Sequence, residues 1–380
     1  VSKLIIGINA TILDDKPTGL GIYTINIINE LSKVLESTDK IIVYTSTPEY
    51  FTDEKIVTKK VTNLVKPKYG KKAGLIRFLW LQFIFPLLVT KDHCDIIYST
   101  THHGNLFITR KQILTIHDLL AIKFPKQYKL QNLYFKYVIP HLLKKSPFLF
   151  TVSDNTKLDI VNYFNYPSDN ISVIYNSYNK EHFKLINGQW FKKKYGNYLL
   201  FLGASFPHKN VKNAIKAFID VVSGDNNLNV KLIIVNRKND YLESVKRFFK
   251  ANSYFENRVE FVDYVAYNEL PEMYSNAVAL LYPSLYEGFG IPPLEAMACG
   301  CPVIVSNNSS LPEVCGDSAL YIDPNDIGSI SYGIRKMLLD DDMRENLKNK
   351  GLIQANKFSW EYSAKKLYKE LELKTSELIN

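Results

Sequence analysis

Twelve short runs of β-branched and aliphatic residues, separated by longer stretches with helical spacing, constrain this chain more than any other feature. The first six lie at 4–9, 41–45, 95–100, 113–116, 148–153 and 171–176. The second six lie at 198–203, 230–235, 259–264, 277–284, 302–307 and 319–323. Runs such as VKLIIV and AVALLYPS are continuously apolar, the pattern of strands buried on both faces of a parallel sheet. Twelve strands overfill one ordinary sheet and suit two. The polar, aromatic segment 178–197 separates the two sets. The spacing therefore predicts two doubly wound, Rossmann-like α/β domains, 1–185 and 186–361, whose sheets present their carboxyl ends to an interdomain cleft. Helical spacing at Trp360, Ala364, Leu367 and Leu371 predicts a terminal helix, with 362–380 packing back on the first domain.

Composition narrows the function classes. With 380 residues, 46% hydrophobic and 22% charged, the chain can bury two cores and is not a disordered protein. A net charge of +9, from 47 basic and 38 acidic residues, suits an anionic partner. The lysines read as scattered and no zinc-finger or RNA-sheet motif is present, so nucleic acid is not the expected partner. Cys94, Cys299, Cys301 and Cys315 have no metal-like or disulfide-like spacing and read as buried thiols in a reducing compartment. The start VSKLIIGINA has no secretory character. The apolar stretch 74–89 is interrupted by Arg77, Gln82 and Pro86 and falls short of the roughly 20 residues that span a bilayer, so no transmembrane helix is expected.

Within that stretch, Lys66, Lys68, Lys71, Lys72 and Arg77 mix with Leu75, Phe78, Leu79, Phe83 and Leu87. Two readings stay open: a lysine loop preceding a buried helix, or a surface that docks on an acidic membrane.

The segment LYPSLYEGFGIPPLEAMACG carries the most chemistry. AVALLYPS predicts a buried strand, so Leu285 to Gly290 is the loop at its carboxyl end. Pro292 and Pro293 suit the first helical positions, where a missing amide hydrogen is no loss. Gly288 and Gly290 allow a sharp turn and close approach to a ligand, and the open amides of the helix start suit a phosphate. Glu295 is expected in the first turn, where a carboxylate gains from the helix dipole. That ordinary benefit does not explain Glu287, placed at a strand end before two glycines. Two carboxylates around an amide nest can grip a molecule with hydroxyls on both sides of a phosphate bridge, which is the chemistry of a nucleotide sugar.

EGFGIPPLEAMACGCPVIVS resembles the two-glutamate signature of family 4 of the retaining glycosyltransferases, which have the GT-B fold. TGLGIYTINIINEL, TIHDLLAIKFP, TVSDNTKLDIVNYF, FPHKN and FSWEYSAKKL resemble further segments of that family in the same order. The pattern is nearest to the mannosyltransferase B-like subgroup. The resemblance implies that Glu295 binds the ribose hydroxyls and that Glu287 meets the sugar near its anomeric carbon. It also implies that Lys209 neutralises the diphosphate and that His117 sits beside the donor sugar. His117, Glu287 and Lys209 are thus the expected catalytic set. Backbone around Gly288, Phe289, Gly290 and Ile291, with Gly21 and Val265, completes the expected donor contacts. Where many relatives have arginine, this chain has Ala204; Ser205 and Arg237 are the candidate substitutes. Asn236 and Asp263 replace two further family glycines.

A lone GxG such as Gly19 and Gly21 is usually a simple turn; the resemblance makes it a loop approaching the diphosphate or acceptor. A single histidine is more often structural than catalytic. His102 and His103, in STTHHGNL, are candidate acceptor contacts. No pattern of acidic and histidine ligands supports a metal, so neither metal nor cofactor is expected. The resulting expectation is a cytoplasmic, metal-independent retaining hexosyltransferase, peripheral at the inner face of the membrane. It would move mannose from GDP-mannose to a growing O-antigen or capsule saccharide, lipid-linked or free. Alternatives are a UDP- or dTDP-sugar donor, a nucleotide-sugar 2-epimerase, or a non-catalytic nucleotide-sugar-binding partner.

Overall fold

Each expected apolar run forms a strand, and one unexpected strand joins them. The structure, a computed structural model, describes residues 4–108, 111–237, 239–250 and 252–379, without the side chains of 253 and 375–379. The first seven strands are β1 (Ile5–Asn9), β2 (Lys40–Thr45), β3 (Ile56–Lys60), β4 (Ile96–Ser99), β5 (Gln112–Ile116), β6 (Leu149–Thr151) and β7 (Ile171–Val173). The remaining six are β8 (Asn197–Leu202), β9 (Val230–Val235), β10 (Val259–Val262), β11 (Ala279–Tyr282), β12 (Val303–Ser306) and β13 (Ala319–Ile322). Two sheets result, in the orders β3-β2-β1-β4-β5-β6-β7 and β10-β9-β8-β11-β12-β13. Every pairing is parallel. In each sheet the order reverses beside the first strand of the set, which is the doubly wound arrangement.

The extra strand, β3, reads IVTKK and sits at the sheet edge with mostly exposed side chains. Edge strands need no continuous apolar face, and lysines on them discourage further pairing. That is why apolar continuity did not reveal it.

The chain divides into two compact units, Val1–Asn176 with Ser359–Asn380, and Ser177–Phe358. The border falls earlier than the 185/186 position expected from the polar segment, for a clear reason. Phe183, Phe191 and Tyr195 are buried. His182 stacks on Tyr267 with ring centroids 3.9 Å apart and its Nε2 lies 2.8 Å from the Tyr267 carbonyl. The segment is thus folded into the second unit rather than acting as a linker.

In the second unit, helix Val211–Gly224 buries Val211, Ala214, Ile215, Phe218, Val221 and Val222, a spacing that makes one apolar face. These side chains join Phe201, Leu232, Ile234, Leu281 and Ile304 of the sheet in one core. Each large side chain removed from water contributes about 1.5–3 kcal/mol, enough to hold the strand ends that carry the candidate site. In the first unit, the terminal helix Trp360–Ile379 buries Trp360, Ala364, Leu367 and Leu371. Trp360 meets the Tyr23 ring edge-on, and Tyr368 Oη donates to Asp39 Oδ2 at 2.6 Å. Of the tail expected as a helix, Asn380 lies outside the described residues.

The stretch expected to be too short for a span forms one helical run, Pro67–Lys91, of 25 residues, and an 18-residue window within it has mean hydropathy 1.7. Length and composition alone would let it cross a membrane. Pro86 does not end it, because a π turn over Trp80–Ile84 precedes the proline and leaves it in the opening turn of the next helical segment. One side of the run enters the unit core through Trp80, Leu81, Phe85 and Val89, beside Tyr44, Val65 and Cys94. All four cysteines are free and buried, as expected.

Candidate active site

β8 and β11 are neighbours, and the chain leaves them toward opposite sides of the second sheet. Ligand sites of doubly wound folds form at that switch point, outside the carboxyl ends of the strands. After β8 comes the turn Pro207–Lys209; after β11 comes the loop 283–290. Lys209 Nζ donates to Glu287 Oε1 at 2.6 Å and to Tyr282 Oη at 2.9 Å. Both charged side chains are mostly buried, 19% and 10% exposed. Burial disfavours the Lys209 ammonium, but the Glu287 carboxylate outweighs it and holds the lysine above its ordinary range. Burial also opposes ionisation of Glu287, yet Lys209 keeps its carboxyl below the ordinary value. The pair is therefore doubly charged at neutral pH.

The loop carrying Glu287 is fastened from the end of β12. Ser310 Oγ donates to the carbonyls of Glu287 and Phe289, at 3.0 and 2.8 Å, and Ser309 Oγ accepts from the Glu287 amide at 3.1 Å. Asn308 Nδ2 donates to the Leu285 carbonyl. These residues escaped the sequence reading; the polar cluster SNNSS directly after a strand was the available signal. Gly290 adopts φ +103°, and a Cβ there would lie 2.7 Å from Leu311 Cδ2, so both conformation and space require glycine. Helix Ile291–Ala298 follows, with Pro292 and Pro293 in its opening turn. Phe289 is buried with its ring against Phe358, which leaves its backbone, not its side chain, for a ligand.

Glu295 corrects one expectation. It lies beyond the first helical turn, which holds no acidic residue, so the helix start is not what stabilises it. Tyr274 Oη, from helix Leu270–Asn276, donates to Glu295 Oε2 at 3.0 Å. Burial pushes the carboxyl up to about 8, with the tyrosine bond only partly opposing it. Glu295 is thus held mainly as the neutral acid at pH 7.

Other expected donor residues also lie past strand ends of this unit. Ser205, after β8, donates Oγ to Asn236 Oδ1 at 2.8 Å, and its carbonyl accepts from Asn239. Its hydroxyl is committed to Asn236, which stands where the family has glycine. Arg237, after β9, is exposed, and Val265, after β10, is partly buried.

The remaining candidates belong to the first unit and gather at the ends of β1, β4 and β5. Gly19 and Gly21 follow β1 and open the helix Gly19–Val34; a Cβ on Gly21 would meet Pro17 at 2.8 Å. His117 is buried, its Nε2 lies 2.8 Å from the Thr100 carbonyl, and it meets the Tyr23 ring edge-on at 4.6 Å. Burial lowers its pKa to about 4, so the imidazole is neutral with Nε2–H donating. Asp118 accepts from the Leu120 amide and braces the following turn. His102 and His103 stack at 4.3 Å. Burial, with His117 and Arg77 nearby, lowers His102 to about 3. Among the described residues no group of three or more His, Cys, Asp or Glu is placed to hold a metal ion.

Two doubly wound parallel units define a class of protein, and solved structures identify it. Sucrose-phosphate synthase from Thermosynechococcus elongatus superposes with a TM-score of 0.76 at 17% identity, covering 97% of this chain and 99% of that one. The lipopolysaccharide glycosyltransferase WaaG gives 0.69 at 16% identity, covering 95% and 98%. The fold is GT-B. Residues 17–182 match Glycosyltransferase Family 4, and residues 183–353 match Glycosyl transferases group 1. The O-antigen chain mannosyltransferase RfbU of Salmonella typhimurium is 34% identical over 332 residues, 87% of this chain and 90% of its own length. O-antigen chain mannosyltransferase B of Escherichia coli is 29% identical over 368 residues, 90% and 93% of the two chains. The chain belongs to family 4 of the glycosyltransferases and is a glycosyltransferase.

Proposed function

We propose that this enzyme is a retaining, metal-independent mannosyltransferase that moves mannose from GDP-mannose to a growing bacterial surface polysaccharide, O-antigen or capsule. The names of the relatives support the sugar and the acceptor class. The observation that carries the chemistry is the Lys209–Glu287 pair at the switch point, beside the open end of helix Ile291–Ala298. Lys209 offers a permanent ammonium to the diphosphate, and the amides near Gly290 share that charge as the bond to the sugar breaks. Glu287 receives hydroxyls of the transferred sugar, and Glu295 receives those of the ribose. The acceptor hydroxyl attacks from the face the diphosphate leaves, and its proton passes to the departing phosphate oxygen. No metal or other cofactor enters this scheme. The enzyme works in the cytoplasm, peripheral to the inner face of the membrane.

Thermal shifts with GDP-, UDP- and dTDP-sugars test the donor, since a ligand of the folded state raises apparent stability. Labelled GDP-mannose with a lipid-linked saccharide, and the anomeric configuration of the product, test the transfer. Stabilisation by UDP- or dTDP-sugars alone, or an inverted product, would replace this reading. A new sugar nucleotide formed without acceptor would make the enzyme an epimerase.

A further inference from the structure

The chain's positive charge is concentrated, not scattered as the composition suggested. Residues 55–91 contain nine basic and no acidic side chains, and residues 119–153 contain six basic and none acidic. The rest of the chain, with 32 basic against 38 acidic residues, is net negative. Both segments belong to the first unit.

The first segment contains the helical run Pro67–Lys91, whose inner side enters the core. Its outer side is apolar as well. Leu75, Leu79, Phe83 and Leu87 recur every fourth residue and are 61%, 45%, 62% and 68% exposed. The π turn brings exposed Ile84 beside them, and exposed Phe107 stacks on Phe83 with ring centroids 6.5 Å apart. Helix Lys129–Tyr137 lies alongside through the Phe78–Tyr134 ring contact and exposes Leu130, Leu133 and Tyr137. Exposed apolar side chains scattered singly need no explanation; a stripe on adjoining helices marks a docking surface.

Charge decides the occupant. Lys66 and Arg77 are buried, and Lys66 and Lys68 pair with Asp15, so they do not contribute freely. Lys71, Lys72, Lys126, Lys129 and Lys136 are exposed, and none has a carboxylate within ion-pair distance among the described residues. Protein interfaces are depleted in lysine, whereas a lysine-edged apolar helix face is the makeup of elements lying in a bilayer interface. A second copy would bring like charges together.

We propose that this face docks on an anionic phospholipid bilayer. Leu75, Leu79, Phe83, Leu87 and Phe107 enter the boundary between headgroups and acyl chains, and the five lysines meet lipid phosphates. The proposal rests on the peripheral placement given above and specifies the surface responsible; its test involves no sugar donor.

The full chain is sedimented with phosphatidylcholine vesicles and with vesicles also containing phosphatidylglycerol. Binding is expected to the anionic vesicles, weakened by salt. Lys71→Gln with Lys72→Gln should lower affinity about 25-fold, about fivefold per lysine. Leu79→Asp with Phe83→Asp should abolish binding while circular dichroism and melting stay near wild type. Leu339→Asp with Ile353→Asp, exposed positions of the second unit, should leave binding unchanged. Equal binding to both vesicles, no binding to either, or an equal loss in that last variant overturns the proposal. A dimer dissolved by Phe83→Asp would assign the face to a second copy and also overturn it. Vesicle binding that persists in a chain indifferent to every sugar nucleotide would sink only the donor assignment.

Discussion

Replacing Glu295 by glutamine tests the donor site through its proton. The Glu295 carboxyl stands at about 8 against an ordinary 4.5. Between those values the folded protein binds more protons than the unfolded chain, so stability is full below about pH 4.5 and is lost as pH rises through 8. A shift of that size corresponds to a ceiling of about 5 kcal/mol. The side chain is only partly buried, and solvent screening lowers the expected loss to about 2–3 kcal/mol. His102 and His117, lowered to about 3 and 4, act in the opposite direction, with stability lost as pH falls. Subtracting the Glu295→Gln curve from that of the wild type isolates the carboxyl. The single tryptophan of the second unit, Trp190, is exposed; hydrogen exchange of the β11 and β12 amides in denaturant is therefore the suitable readout. The same proton should appear on ligand binding. Ribose hydroxyls bind best to the carboxylate, so GDP-mannose should expel close to one proton near pH 7 and none well above pH 9. Calorimetry in buffers of different ionisation heat measures this. A flat difference curve from pH 5 to 9, with no proton released, would refute the reasoning.

Lys209→Met should leave the Glu287 carboxylate buried without its cation and cost about 3–5 kcal/mol, while adding Glu287→Gln should recover much of that loss; additive losses in exchange-measured stability would exclude the coupling. Both variants should lower transfer by about 10²–10³-fold, and wild-type kinetics would remove Lys209 from the site. Gly290→Ala should destabilise the second unit by at least about 1–2 kcal/mol, given its φ and the Leu311 clash; unchanged melting contradicts that. His117 should keep one imidazole proton down to about pH 4, and a ring resonance titrating near its ordinary 6.5 would show that it is not buried as described.

The layout was legible because fully buried parallel strands write themselves as apolar runs, and twelve did so. β3 did not, since an edge strand tolerates lysines. The loop around Glu287 and Gly290 was legible for a local reason: strand end, glycines and the proline pair lie within one short segment. What depended on distant residues was not. The bond from Tyr274 to Glu295 joins two helices, and the carboxyl expected in a first helical turn is instead a partly buried acid beyond it. Ser309 and Ser310 act on a loop that precedes them by more than 20 residues. Sequence could place a lysine after β8 but not its contact with Glu287. The exposed apolar stripe was half legible, because spacing shows an apolar helix without showing which side the core covers.

The Lys209–Glu287 pair explains how one site can be buried and still ready for an anion. A lone lysine in that position would face the desolvation cost without compensation and would tend to lose its proton. Glu287 prevents this by pinning the ammonium within hydrogen-bond distance. An arriving diphosphate does not need to break the pair, since Lys209 keeps its charge and an ammonium has three donors, two of which are used by Glu287 and Tyr282. The third can meet a phosphate oxygen while Glu287 turns its other oxygen toward sugar hydroxyls. On the proposed reading the carboxylate serves twice, fixing the cation and accepting from the substrate. A glutamine at 287 could imitate the second role but not the first, so Glu287→Gln should weaken donor binding more at high pH, where Lys209 loses its proton, than at neutral pH. Binding isotherms for the variant that stay flat with pH would show that the lysine does not depend on its partner.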